Sequence, residues 1–167
     1  MRIIGIDPGI ALVGFGIVER VNGKVKPVQY GCIETPAHTD SGIRLQMIYD
    51  AVMGLIDQYQ PEQMAVEKLF FNRNVTTAFE VSQARGVILL AAVQKGLIVG
   101  EYTPLQVKQA VVGYGKAEKK QVQEMVRMFL NLKAAPKPDD VADALAVAIC
   151  HAHTYTLNDK VKESMRL

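Results

Sequence analysis

The chain has 167 residues, of which 49% are hydrophobic, and a formal net charge of +2 at pH 7. That length supports one domain with its own core rather than two, and the composition excludes a disordered chain. With no run of 18 or more apolar residues and an N-terminus patterned as a strand rather than a signal peptide, the expectation is a soluble, cytoplasmic protein without membrane contact.

Arg2-Ile3-Ile4-Gly5-Ile6-Asp7 is a short apolar strand that stops at Asp7-Pro8-Gly9. Proline biases the residue before it toward extended backbone, and Gly9 permits a tight turn. A second strand is predicted over 14–19, and Asn22-Gly23 is a hairpin signal leading to a third over about 25–35. Three strands joined by short turns make an antiparallel meander, with Asp7 at the carboxyl end of the first. After a loop over 35–42, Ile43, Met47, Ala51, Val52, Leu55 and Ile56 recur at the helical period and predict a helix over 43–59 with Ser41 as its cap. Gln60-Pro61 ends it. Residues 63–67 read as a short buried strand ending in Glu67, and a strand reached through a helix is expected to run parallel to a neighbour.

Residues 68–74 form a loop holding Phe70 and Phe71. A long helix is predicted from Asn74 or Thr76 to about Lys95, stopped by Gly96. Its second half, 87–93, is apolar nearly all round, which places it in the core or half in a subunit interface. A fifth strand over 97–103 follows, then a short helix over 104–112 carrying Lys108 and a loop at Gly113-Tyr114-Gly115. The next helix, over 116–131, turns Val122, Met125, Val126, Phe129 and Leu130 inward. The last helix begins at Pro138, carries Asp139, Asp140 and Asp143 in its first turn and a half, is small and apolar thereafter, and runs to about His153. Asp139 is expected to satisfy free backbone N–H groups there as N-cap or first-turn residue. Residues 1–154 thus form one α/β domain, a mixed five-stranded sheet of three antiparallel strands then two parallel ones with helices on both faces. Residues 155–167 are expected to be a flexible tail.

Charge is spread unevenly. Residues 101–138 carry seven basic and three acidic side chains, whereas residues 139–167 carry three basic and five acidic ones. A polyanion with bound divalent cations would use this juxtaposition, although a solvated helix face alone also produces a basic run. Cys32 and Cys150 are isolated, and the three histidines lie outside H-E-x-x-H spacing, which argues against structural zinc, a disulfide framework or a zinc hydrolase.

Asp140 and Asp143, three apart, share one helix face. Each acid has a plain reading of its own. Helix N-termini favour acids through the macrodipole, Asp7 before proline suits a turn, and Glu67 could end its strand in solvent. Taken together, Asp7, Glu67, Asp140 and Asp143 are four carboxylates without a histidine cluster, a set that selects a hard divalent cation, Mg²⁺ or Mn²⁺. Two such ions roughly 3.5–4 Å apart would hold an attacking water and a leaving oxygen in line on a phosphodiester.

Gly5-Ile6-Asp7-Pro8-Gly9, Ala65-Val66-Glu67-Lys68-Leu69-Phe70, Gln83-Ala84-Arg85-Gly86, Thr103-Pro104 through Lys108-Gln109-Ala110-Val111, Gly115-Lys116-Ala117-Glu118-Lys119 and Asp140-Val141-Ala142-Asp143-Ala144-Leu145-Ala146 cover residues 1 to about 153. In this order and spacing they resemble the RuvC Holliday-junction resolvases, crossover junction endodeoxyribonucleases with the ribonuclease-H-like fold. The resemblance implies an endonuclease of homologous recombination and DNA repair that cuts two strands of a four-way junction symmetrically. It implies Asp7, Glu67, Asp140 and Asp143 as the metal-binding catalytic tetrad, holding two Mg²⁺ per subunit with Mn²⁺ able to substitute. It matches Lys108 and Lys119 to catalytic lysines at the scissile phosphate, sets Phe70 against junction bases, and adds Lys116 and Lys120 to the DNA-binding surface. A homodimer and a RuvA–RuvB branch-migration complex as partner follow from it as well.

Two other classes compete. A Gly-Ile-Asp-x-Gly turn also opens the phosphate-binding domain of actin-like ATPases and sugar kinases, which need a second domain of similar size. A non-catalytic junction-binding module would gain nothing from four acids beside a polyanion. Without the resemblance, Lys108 and Lys119 read equally well as surface lysines; Phe71 is expected in the core, and His151, eight residues after Asp143, reads as structural.

Overall fold

A computed structural model of the chain describes residues 1–68 and 75–164, with side chains described for 1–68 and 77–155. Phe70 and Phe71 lie outside the described residues. Five strands, β1 (Arg2–Asp7), β2 (Leu12–Val21), β3 (Lys24–Glu34), β4 (Gln63–Glu67) and β5 (Ile98–Tyr102), form one sheet in the order β3-β2-β1-β4-β5. The pairs β1–β2 and β2–β3 are antiparallel, and β1–β4 and β4–β5 are parallel. This is the mixed sheet the sequence predicts. Asn22 and Gly23 both take positive φ, 51° and 79°, as a tight hairpin turn matched to the strand twist requires.

Helices α1 (Ser41–Tyr59) and α2 (Val75–Gln94) cover one face of the sheet; α3 (Pro104–Val112), α4 (Lys119–Phe129) and α5 (Asp139–Ser164) cover the other. Successive strand residues point to opposite faces, so parity decides which core each side chain joins. Ile4, Ile6, Val13, Phe15, Ile17, Met64 and Val66 pack toward α1 and α2, while Ile3, Val18, Ala65 and Tyr102 pack toward α3, α4 and α5. The same parity assigns Asp7, Gly14, Gln63 and Glu67 to the α5 face.

Several local expectations are corrected. The cap of α1 is Asp40, not Ser41: its Oδ1 accepts the N–H groups of Gly42 at 2.9 Å and Ile43 at 3.2 Å. The buried line of α1 is Ile48, Val52 and Ile56, whereas Ile43 is 52% exposed. Helix α4 starts at Lys119 rather than at residue 116, where the Gln121 side chain accepts the Glu118 N–H at 2.8 Å. Phe129, expected inside, is 43% exposed and meets His153 edge-on with ring centroids 5.7 Å apart. Helix α5 runs through Ser164, past the end expected near His153, because no proline or glycine interrupts 139–164. No described helix is long and apolar enough to cross a membrane.

Candidate active site

Helix α5 reaches the sheet where strand residues lack side chains. A Cβ on Gly5 would stand 2.1 Å from the carbonyl oxygen of Ala144, and one on Gly14 would stand 2.0 Å from that of Asp140. Glycine at these two positions lets the first turns of α5 rest on the backbone of β1 and β2. Gly14 is the β2 partner of Asp7, so the helix start is set down beside Asp7. Glu67 ends β4, the parallel neighbour of β1, one residue beyond the Ile6–Val66 pair. The four predicted acids, Asp7, Glu67, Asp140 and Asp143, are therefore brought together at the carboxyl edge of the two central strands.

Their proximity shows in their protonation. Burial, then the charges of Asp143, Asp140 and Glu67, push the Asp7 carboxyl up to about 8, against a small opposing effect of Lys119. Glu67 is raised by burial and Asp143, with Lys108 and Lys119 pulling it back. Burial also raises Asp143, partly offset by the charge and hydrogen bond of Lys119. Burial by itself would lower Lys119, but Asp143 and Asp139 outweigh it and hold the ammonium charged.

Lys119 Nζ lies 3.2 Å from Asp143 Oδ2 and 3.4 Å from Asp139 Oδ2. Its side chain is 55% exposed, so these pairs orient more than they stabilise. Asp139 lies in the first turn of α5, as expected, and both of its oxygens meet α4: Oδ1 accepts from Gln123 Nε2 at 2.9 Å and Oδ2 faces Lys119. Nothing local to Asp139 in the sequence signals this role. Its partners lie 16 and 20 positions earlier, and only the packing of α4 on α5 brings them together.

Glu67, Asp143, Lys108 and Lys119 line a cleft of about 210 Å³ whose wall is completed by Val107 and Val122. Lys108 and Lys119 thus stand beside Glu67 and Asp143. Lys120 does not line this cleft; it borders a separate groove with Glu118 and Glu124, and Lys116 is exposed ahead of α4. Among the described residues, no three acidic, histidine or cysteine side chains are already drawn into a metal-holding cluster. The donor set itself, four carboxylates with an exposed cleft beside them, suits hard, oxygen-preferring cations.

The strand order, the acids at the carboxyl edge and the helix laid across that edge define a ribonuclease-H-like nuclease. The chain belongs to the RuvC family: the family model described as crossover junction endodeoxyribonuclease RuvC matches residues 3–151. It is 62% identical over 152 residues to the crossover junction endodeoxyribonuclease RuvC of Brevibacillus brevis, covering 91% of this chain and 92% of that one. Among solved structures it is similar to Thermus thermophilus RuvC, with 38% identity, a TM-score of 0.87, and 95% of this chain and 97% of that one covered. The T. thermophilus protein in complex with Holliday junction substrate is similar at 38% identity and a TM-score of 0.90, over 95% and 96% of the two chains.

Proposed function

We infer that this chain is a crossover junction endodeoxyribonuclease that hydrolyses phosphodiester bonds in four-way DNA junctions during recombination and repair. The gathering of four carboxylates at one sheet edge carries the inference: burial, and then the charges of Asp143, Asp140 and Glu67, raise Asp7 to about 8, and cations binding there would offset that repulsion. Asp7, Glu67, Asp140 and Asp143 would hold two Mg²⁺, or Mn²⁺ in their place. Bound there, the ions would supply a water of lowered pKa and offset charge on the phosphate.

The remaining tasks fall to the chain. Lys108 and Lys119, both on the cleft wall, present cations to the scissile phosphate and stabilise charge that develops in the transition state. Asp139, with Gln123 behind it, keeps Lys119 directed at the acids. Lys116 and Lys120, outside the cleft, hold the DNA backbone away from the reacting bond. Phe70, three residues beyond Glu67, stacks on a junction base, an interaction worth roughly 1–3 kcal/mol.

Two symmetric cuts need two sites. On α2, Phe79, Leu90 and Val93 are 66%, 51% and 68% exposed and recur at the spacing of one helix face. A homodimer joined along this face supports that use, in the cytoplasm and alongside a RuvA–RuvB branch-migration complex.

A synthetic four-way junction tests the function. With Mg²⁺, the wild-type chain should nick two opposed strands, and Asp7→Asn, Glu67→Gln, Asp140→Asn and Asp143→Asn should each bind the junction without cutting it. Loss of binding together with cleavage in all four variants would count against the assignment.

A further inference from the structure

Among the described residues, buried polar side chains are few, and two of them, Gln63 and His151, are partners. His151, 2% exposed on α5, has its Nε2 2.6 Å from Gln63 Oε1 at the start of β4 and its Nδ1 2.7 Å from the Tyr102 hydroxyl at the end of β5. An amide oxygen only accepts, so Nε2 carries the ring proton and Nδ1 accepts from the Tyr102 O–H. Every polar atom of the ring is then satisfied in the neutral form. Burial lowers the His151 pKa to about 4, which keeps the ring neutral at working pH.

This ring lies on the sheet itself. A Cβ on Gly100 of β5 would stand 2.3 Å from His151 Nδ1. Tyr102 meets the ring edge-on, with centroids 5.6 Å apart, and Tyr155 stacks on it at 5.7 Å. Tyr102 is the β5 partner of Glu67, and its carbonyl oxygen accepts the N–H of Lys68 at 2.7 Å. One end of the network is therefore bonded into the strand ends that carry Glu67. The other end is α5, whose first turns carry Asp140 and Asp143.

Elsewhere the contact of α5 with the central strands is apolar and close, with Leu145 seated on Gly16 and Val141 and Ile149 clustered with Ile3, Val18 and Ala65. Gly5 faces Ala144 and Ala148, and Gly14 faces the Asp140 backbone. Such contacts set how close the helix lies, but apolar packing is non-directional and fixes register less sharply than a hydrogen bond does. A shift of one residue along a helix moves each side chain by about 1.5 Å and 100°. Directed hydrogen bonds in a buried, low-dielectric setting resist that displacement, and they are strong because no water competes.

We propose that His151 is a positioning residue: bridging Gln63 and Tyr102, it sets the register of α5 on β4 and β5 and so holds Asp140 and Asp143 at the correct separation from Glu67 and Asp7. The proposal rests on those acids being the metal ligands.

The test replaces the whole network at once, with Gln63→Leu, Tyr102→Phe and His151→Phe together, so that no buried polar group is left unpaired. Three quantities are read on the full-length chain: melting temperature, Mn²⁺ titration followed by electron spin resonance, and single-turnover cleavage of a four-way junction. The triple variant should fold and bind the junction normally in metal-free buffer. Its half-saturating Mn²⁺ concentration should rise about tenfold, and its cleavage rate at saturating junction should fall tenfold or more. A folded triple variant with wild-type Mn²⁺ midpoint and rate overturns the proposal. If the triple variant does not fold, Tyr102→Phe, which removes one hydroxyl, is read the same way. A rise of about threefold in the Mn²⁺ midpoint supports the proposal, and no change overturns it. A wild-type chain that binds no Mn²⁺ removes the metal assignment and this proposal together, whereas wild-type binding with an unchanged variant removes the proposal alone.

Discussion

Gly14 lies directly beneath Asp140: a side-chain carbon on Gly14 would stand 2.0 Å from the Asp140 carbonyl oxygen and 3.0 Å from its Cβ. The glycine is thus part of how an acid on α5 comes to stand beside the acid that ends β1. Gly14→Ala should push the first turn of α5 off the sheet, at a cost of about 1–3 kcal/mol for overpacking. Cleavage should fall a hundredfold or more, because Asp140 moves with the backbone. Gly54→Ala is the control: it is in α1, exposed, with nothing within 4 Å of its added carbon, and should gain about 0.5–1 kcal/mol. Urea unfolding of both variants, with junction cleavage alongside, checks the contrast.

Asp7 gives the metal-free protein a pH dependence of definite sign. Its folded pKa of about 8 stands above the ordinary value of 3.8. Between those values the folded chain holds a proton that the unfolded chain has released, so stability is greatest at low pH within this window and is lost as pH rises toward about 8. Glu67 and Asp143, also raised, act in the same direction. Asp7→Asn should flatten the slope. Thermal melts in chelator across the window measure it, and a wild-type stability that rises with pH there would contradict the assignment.

That same proton must leave when a divalent cation binds. Mn²⁺ affinity should therefore increase with pH up to about 8, with proton release on binding. Calorimetry in two buffers of different ionisation enthalpy detects the proton directly. Identical heats in both buffers near neutral pH would show that Asp7 is not among the ligands.

Lys108 and Lys119 share the cleft with the acids, while Lys120 does not. Lys108→Ala and Lys119→Ala should lower the cleavage rate by tens-fold or more and change junction affinity only a few-fold. Lys120→Ala should do the reverse, weakening binding and reducing its salt slope by about one. Arg127, on α4 with Lys120, donates to Glu124 at 2.6 Å, so its neutralisation should weaken binding less than that of Lys120. Rates and affinities measured across a salt series separate the two behaviours.

The exposed face of α2 predicts an association that charge can break. Leu90→Glu or Val93→Glu should leave the buried Ile88, Ala91 and Ala92 untouched and the fold intact. Sedimentation at micromolar concentration should show a dimer for the wild type and a monomer for either variant, with cleavage of paired strands lost before single-strand nicking. A wild-type monomer would remove the predicted interface.

Local periodicity made most of the architecture readable from the amino acids. Short apolar runs bounded by turn residues marked the strands, Asn22-Gly23 marked the hairpin, and Asp7 and Glu67 showed themselves as acids at strand ends, because each signal depends on a few consecutive residues. Asp140 and Asp143 were legible for the same reason: three residues on a helix place two side chains on one face. Caps were legible only in part, since Asp40 and Ser41 are adjacent and both suited to the role.

What tertiary structure alone decided concerns partners far apart in the chain. Parity put Asp7, Gly14 and Glu67 on one face, but only the crossing of α5 over that face shows why Gly14 must lack a side chain. Lys119 finds Asp139 and Asp143 through the packing of α4 on α5, and Phe129 is exposed because that packing leaves it at the rim beside His153. His151 finds partners 88 and 49 residues away. Sequence by itself determined which residues carry charge and which local element holds each one. Tertiary structure decided which charges meet and at what distance, because burial and pairing energies depend on surfaces that exist only once helix and sheet have closed on each other.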